Sequence, residues 1–205
     1  VKKERQESKA ATRTRLQRER ILTAAQSCFV ERGFHAASMA TIASTAGMSP
    51  GLIYRYFENK NAIILAIIGQ QLTVARQRIR KLHSAENLSR RIFDYLDELE
   101  PDSEKSMSIA LYLEISAQAT RDPQIAEALQ RYDTTVRAEL GDWLRRSRGE
   151  GGHGLPDGDL SERAVMLLCL IEGLKLRVPR EPALNRDMLR KILDELLETL
   201  IAPPA

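Results

Sequence analysis

The stretch from Ser38 to Lys60, SMATIASTAGMSPGLIYRYFENK, constrains this chain more than any other. Ser38 is a good N-cap, because a serine hydroxyl accepts from the orphan N–H groups of a first helical turn. Met39, Ile42, Ala43 and Ala46 then repeat at helical spacing. Gly47 supplies the positive φ that ends a helix at low cost. Ser49 caps a second helix, with Pro50 at its first position, where the missing N–H is harmless. Small Ala43 and Ala46 allow the two helices to cross closely. The spacing predicts a helix-turn-helix over 38–57, whose second helix is free to lie in a major groove.

That second helix carries Tyr54, Arg55 and Tyr56, with Lys60 just beyond. Hydroxyls, a guanidinium and an ammonium are the donors that phosphates and guanine edges accept from. Ile53 and Phe57, four apart, are enough to fill the core, so the tyrosines are left for solvent or DNA. A plain helical hairpin with core aromatics is the alternative.

These residues carry a family resemblance. Arg18-Glu19-Arg20-Ile21-Leu22-Thr23-Ala24-Ala25, Phe29, Glu31-Arg32-Gly33-Phe34, Ile42-Ala43, Ala46-Gly47-Met48-Ser49, Ile53-Tyr54-Arg55-Tyr56-Phe57 and Asn59-Lys60 together resemble the TetR family of transcriptional regulators. The match covers about the first third of the chain, and the rest fits in helical architecture only. The resemblance implies an all-α homodimer that represses transcription from an inverted-repeat operator and releases it when a small molecule binds. It places DNA contacts on Ser38, Met39 and Thr41, then on Ser49, Pro50, Gly51, Leu52, Tyr54, Arg55 and Tyr56, with Lys60 at a phosphate. Two positions depart from commoner members. Ala40 stands where a base-reading cation is frequent, and Leu52 replaces a small polar residue. Arg55 is left as the main hydrogen-bonding base contact, with Pro50 and Leu52 able to touch thymine methyls.

Charge by region agrees with this. Residues 1–60 hold 11 Lys and Arg against 5 Asp and Glu, or +6; the remainder holds 20 against 23, or −3, giving the net +3. The excess lies where phosphate must be met. Residues 1–13, with Lys2, Lys3, Arg5, Lys9 and Arg13, lack apolar periodicity and are expected to be a basic, disordered arm that can order on DNA. No apolar run reaches the ~18 residues of a membrane span. Cys28 and Cys169, far apart in apolar helical stripes, are expected as buried free thiols of a cytoplasmic protein.

Helical periodicity continues to the end. Leu16, Ile21, Ala24, Ala25, Cys28 and Phe29 define a first helix over 14–32, completing a DNA-binding domain at 14–60. A connecting helix over 61–82, about 30 Å long at 1.5 Å per residue, has Gly69 as a weak point. Residues 83–205 form a ligand-binding and dimerisation domain with helices at 87–99, 106–120, 123–148, 161–178 and 185–201. About nine helices and no period-two alternation make the class all-α.

Catalytic signals are absent. Gly149-Glu150-Gly151-Gly152-His153-Gly154 fits G-x-G-x-x-G, but a charged helix end precedes it and Leu155-Pro156-Asp157-Gly158 follows, so it reads as a loop. His35, His83 and His153 fall near turns without ligand spacing, and neither metal nor cofactor is expected.

The last two helices resemble the family's dimer bundle, with Leu167, Ile171, Gly173 and Leu174 on one and Leu189, Leu193, Leu196 and Leu200 on the other. Completion of the monomer core is the alternative use of the same stripes. An effector site is expected between 106–120, 123–148 and 161–178 beneath 61–82, with Tyr112, Glu114, Tyr132, Trp143 and Glu172 facing inward. Aromatics beside carboxylates suit a lipophilic compound, cationic ones included. Two other readings remain: a constitutive DNA-binding protein whose large domain only dimerises, and an all-α enzyme.

Overall fold

The computed structural model describes residues 2–82, 88–97 and 108–202. Among the described residues nine α-helices run in order: α1 (Lys2–Ala36), α2 (Met39–Thr45), α3 (Pro50–Ile53), α4 (Lys60–Leu82), α5 (Leu88–Asp97), α6 (Ile109–Ala119), α7 (Pro123–Arg145), α8 (Leu160–Arg177) and α9 (Arg186–Leu200). No strand occurs among the described residues, so the all-α class holds. The expectations at His83 and at residues 98–107 lie outside the described residues.

Residues 2–13 differ from the expected arm, because they continue α1 as helix. Ala, Lys, Arg, Gln and Glu are strong helix formers, and no Gly or Pro interrupts them. A helix does not need an apolar stripe when its propensity is this high.

The chain divides into two compact units, Val1–Gly69 with Ala110–Leu129, and Gln70–Ile109 with Gln130–Ala205. The boundary crosses α4 after Gly69, the residue marked as its weak point, and crosses α7 after Leu129. Helix α6 and the start of α7, expected in the C-terminal domain, therefore belong with the helix-turn-helix.

In the first unit, Ile21, Ala25, Phe29, Ile42, Ala43, Ile53, Ile63 and Ile67 are all at most 1% exposed. The Ile-rich start of α4, apolar nearly all round, is covered as its composition requires. Leu111, Ile115 and Ile125 are buried here too. Polar contacts bind the late segment in. Asn61 of α4 donates to the Asp122 carboxylate, whose other oxygen accepts from Gln124 N at 2.9 Å at the start of α7.

In the second unit, Ile92, Phe93 and Leu96 of α5 pack with Val136, Leu140, Trp143 and Leu144 of α7, Ala164 and Leu167 of α8, and Leu193 and Leu197 of α9. Trp143, expected at an effector, is 3% exposed; its Nε1 donates to Gly151 O at 3.0 Å and its ring meets His153 edge-on at 4.7 Å. The glycine-rich decoy is thus a loop folded against a core tryptophan.

Candidate nucleic-acid interface

Helix α2 begins as its cap predicts. Ser38 Oγ accepts from Thr41 N at 3.0 Å and lies 2.8 Å from Thr41 Oγ1. After Ala46 the chain turns back, with Gly47 N donating to Ser44 O and Met48 N to Ala43 O. Gly47 has φ +61°, and a Cβ there would lie 2.5 Å from Arg20 Nη2. The positive φ calls for glycine at this turn, whereas the Arg20 guanidinium, the end of a flexible side chain, could give way to a Cβ.

Helix α3 is shorter than the predicted 49–57. Its regular part ends at Ile53, after which Arg55 N donates to Leu52 O and Tyr56 N to Ile53 O, a tightened three-residue spacing. A run of β-branched and aromatic side chains is poor helix-forming sequence. Ile53 and Phe57 are buried, as expected, while Tyr54 is 56% exposed and Arg55 is exposed beside it. Ser38, Ser49, Pro50 and Gly51 are exposed, and Met39, Thr41, Leu52 and Tyr56 are half-buried.

Two cations hold this display from behind. Arg18 of α1 donates from Nη1 to Tyr56 O at 2.8 Å, and its guanidinium lies 4.2 Å from the Phe57 ring centroid. Arg18 was not anticipated as functional, although it sits three, four and seven residues before Ile21, Leu22 and Ala25, on the buried stripe of α1. The other cation is Lys60, expected at a phosphate. It turns inward instead: Nζ donates to Phe34 O at 2.6 Å and His35 O at 3.3 Å, and lies 4.4 Å above the Phe34 ring. Partial burial lowers its pKa from the usual lysine value. Lys60 joins the start of α4 to the end of α1.

The comparisons with known proteins agree with this geometry. Residues 21–67 match the family described as bacterial regulatory proteins, tetR family, and residues 88–202 match the C-terminal domain of BetI-type transcriptional repressors. The chain belongs to the TetR family. It is 33% identical over 166 residues to the HTH-type transcriptional regulator UidR of Escherichia coli K12, covering 80% of this chain and 82% of UidR. Salmonella enterica GusR superposes with a TM-score of 0.75 at 31% identity, covering 90% of this chain and 95% of that one. Reduced E. coli NemR shares the fold, with a TM-score of 0.69 at 24% identity over 92% of this chain and all of that one. As a member of this family the chain is a DNA-binding transcriptional regulator, not an enzyme. No helix among the described residues is long and apolar enough to cross a membrane.

The residues expected at an effector are divided between the two units. Tyr112 and Glu114 of α6 lie in the first unit, where Glu114 Oε2 accepts from Phe34 N at 3.0 Å. Trp143 is in the core of the second unit. Within the second unit Tyr132 feels the charges of Glu172 and Arg78 and the neighbouring Tyr95, and Lys175 feels Glu172 and Arg78 in turn. Arg78 lies 4.5 Å from the Tyr95 ring centroid. Burial pushes the Tyr132 hydroxyl well above the usual tyrosine value, helped by Tyr95, Asp133 and Glu172 and opposed by Arg78. Lys175 is 5% exposed; burial lowers its pKa to about 8, with Glu172 opposing the shift and Arg78 adding to it. A lysine between Leu174 and Leu176, three residues after Glu172, was the sequence signal for this group.

The residues proposed for dimerisation separate by burial. Leu167 and Leu193 are 2% and 3% exposed, inside the second unit's own core, with Ile171, Leu174, Leu189 and Leu200 packed against it. Core completion, the alternative assignment, describes Leu167 and Leu193, while the other four are half-buried beside that core. Gly173 and Leu196 are exposed. Val165, Met166, Cys169 and Gly173 follow one exposed face of α8, and Met188, Ile192 and Leu196 one exposed face of α9. Cys169 is consequently exposed rather than buried.

Proposed function

We propose that this regulator is a homodimeric repressor that binds an inverted-repeat operator and leaves it when a polar effector enters the second unit. The observation that carries the reading is the exposed Tyr54–Arg55 pair, on a turn fastened by Arg18 at the end of α3, the helix that Gly47 lets turn back from α2. A guanidinium held at a fixed angle reads a guanine edge in the major groove, and a tyrosine hydroxyl reaches phosphate.

Dimerisation rests on the exposed apolar faces of α8 and α9. Met166, Met188, Ile192 and Leu196 are 46–53% exposed, a stripe that a second copy would cover. Two copies would place their recognition turns about one turn of DNA apart, or a multiple of it.

The effector site is best placed at Arg78, Tyr95, Tyr132, Glu172 and Lys175. Two cations, a carboxylate and two phenols offer donors and acceptors in a partly buried setting, which suits a compound rich in hydrogen-bonding groups rather than the lipophilic compound, cationic or not, of the sequence reading.

The test is fluorescence-anisotropy binding to the DNA upstream of the chain's own coding sequence, followed by a screen of polar metabolites for release. Binding that a compound reverses in wild type, but not in Tyr132→Phe or Lys175→Met, supports the reading. Binding that no compound reverses favours the constitutive alternative, and no binding at all contradicts both.

A further inference from the structure

Glu114 is a carboxylate inside an apolar helix, and its partner is a backbone N–H eighty residues away. The reason lies in α1. Gly33 leaves helical geometry at φ 74° and ψ 161°, so the helix is broken just before Phe34. A break there strands the N–H groups that follow, and a buried N–H without an acceptor is costly. Phe34, 8% exposed, finds its acceptor in Glu114 Oε2 at 3.0 Å. Its carbonyl, with that of His35, accepts from Lys60 Nζ. One helical turn after Glu114, Gln118 is 5% exposed and lies 3.4 Å from the His35 ring nitrogen Nε2. Two consecutive residues at the joint between α1 and α2 are thus gripped by α6 from one side and by α4 from the other.

We propose that Glu114 is a positioning residue for DNA recognition: it fixes the joint from which α2 departs. The inference rests on the repressor reading above. Ala37 N donates to Gly33 O and Ser38 caps α2, so the joint passes directly into the helix-turn-helix. A carboxylate accepting a backbone N–H makes a strong, directional, charge-assisted bond. Its loss frees the joint without removing any group that faces DNA.

The experiment uses the full chain and the duplex that wild type enriches most from a randomised pool. Glu114→Leu removes the acceptor, Glu114→Asp withdraws it by one methylene, and Glu114→Gln keeps an oxygen at the same reach. The expected result is at least tenfold weaker binding for Glu114→Leu and Glu114→Asp, and binding within threefold of wild type for Glu114→Gln. Base preference and salt slope should be unchanged, because no DNA contact is lost, and Phe34 amide exchange should quicken in the two weak variants. A role in folding alone would lower thermal midpoints and leave the affinity of the folded protein intact. Should Glu114→Leu not fold, Glu114→Asp carries the test. Wild-type affinity in Glu114→Leu or Glu114→Asp, or a Glu114→Gln as weak as they are, overturns the proposal. Failure of wild type to enrich any duplex would instead overturn the repressor reading on which it stands.

Discussion

Arg18 and Tyr56 are joined end to end across the DNA-binding head: the Arg18 guanidinium donates to the Tyr56 carbonyl at 2.8 Å while stacking on Phe57. The contact ties the first helix of the chain to the last turn of the recognition element. It consumes a cation that composition alone would have counted toward phosphate. Arg18→Ala should therefore weaken binding to every duplex, by about tenfold or more, since the displayed Tyr54 and Arg55 lose their support. Arg18→Lys should not restore it, because an ammonium lacks the flat face that stacks on Phe57. Anisotropy titrations of the two variants check this; full rescue by lysine would mean that only charge matters.

Arg55 and Lys60 separate recognition from construction. Arg55→Ala should relax preference at one base pair per half-site, by about 1–3 kcal/mol, with the fold intact. Lys60→Ala should instead lower the thermal midpoint, since it leaves the Phe34 and His35 carbonyls without their donor. Its salt slope should change by less than the roughly one unit that a lost phosphate contact gives. Thermal melts and titrations across salt distinguish the two roles. A full-unit change of slope would return Lys60 to the phosphate.

Leu193 and Leu196 sit on the same helix three residues apart and face opposite fates. Leu196→Glu should give folded monomers that bind DNA poorly, because a charge is brought into an interface between copies. Leu193→Glu should unfold the second unit, since Leu193 is 3% exposed within its core. Sedimentation velocity with circular dichroism reads both. A folded monomer from Leu193→Glu, with a dimer from Leu196→Glu, would reverse the assignment.

How far the chain could be read beforehand follows from this contrast. Periodicity reports which positions of a helix are apolar, and by that measure nine helices and the helix-turn-helix were legible. It does not report what each apolar face meets. Helix α9 is apolar on two sides, and only its neighbours show that Leu193 belongs to the core while Leu196 does not. Polar residues were harder still. Glu114 was recognisable as a carboxylate on an apolar helix, but its partner depends on Gly33 breaking α1 eighty residues earlier. Lys60 reads as a phosphate ligand until two carbonyls, left open where α1 ends at Ala36, are found in its path. Lys175 carries only a faint mark in the sequence, because a lone lysine usually reaches solvent, and here the packing of α8 prevents it.

Lys175 makes stability depend on pH. Its pKa falls from 10.5 unfolded to about 8 folded, so between those values the unfolded chain binds more protons and stability rises with pH. Tyr132 acts the other way. Its folded pKa is raised above the unfolded 10.0, so stability declines once pH passes that value. The urea midpoint should therefore climb from pH 8 to about pH 10, and that climb should vanish in Lys175→Met. A climb that persists in the variant would place its origin elsewhere.

Tyr54 and Arg55, doubled by a two-fold axis, are the groups expected to select DNA. Selection of duplexes from a randomised pool by the wild-type chain measures this directly. The predicted result is one enriched inverted repeat whose half-sites are centred about one helical turn apart, or a multiple, and whose preference at one base pair per half-site is lost with Arg55→Ala. Enrichment of no sequence, or of a single asymmetric site bound by one copy, would contradict it.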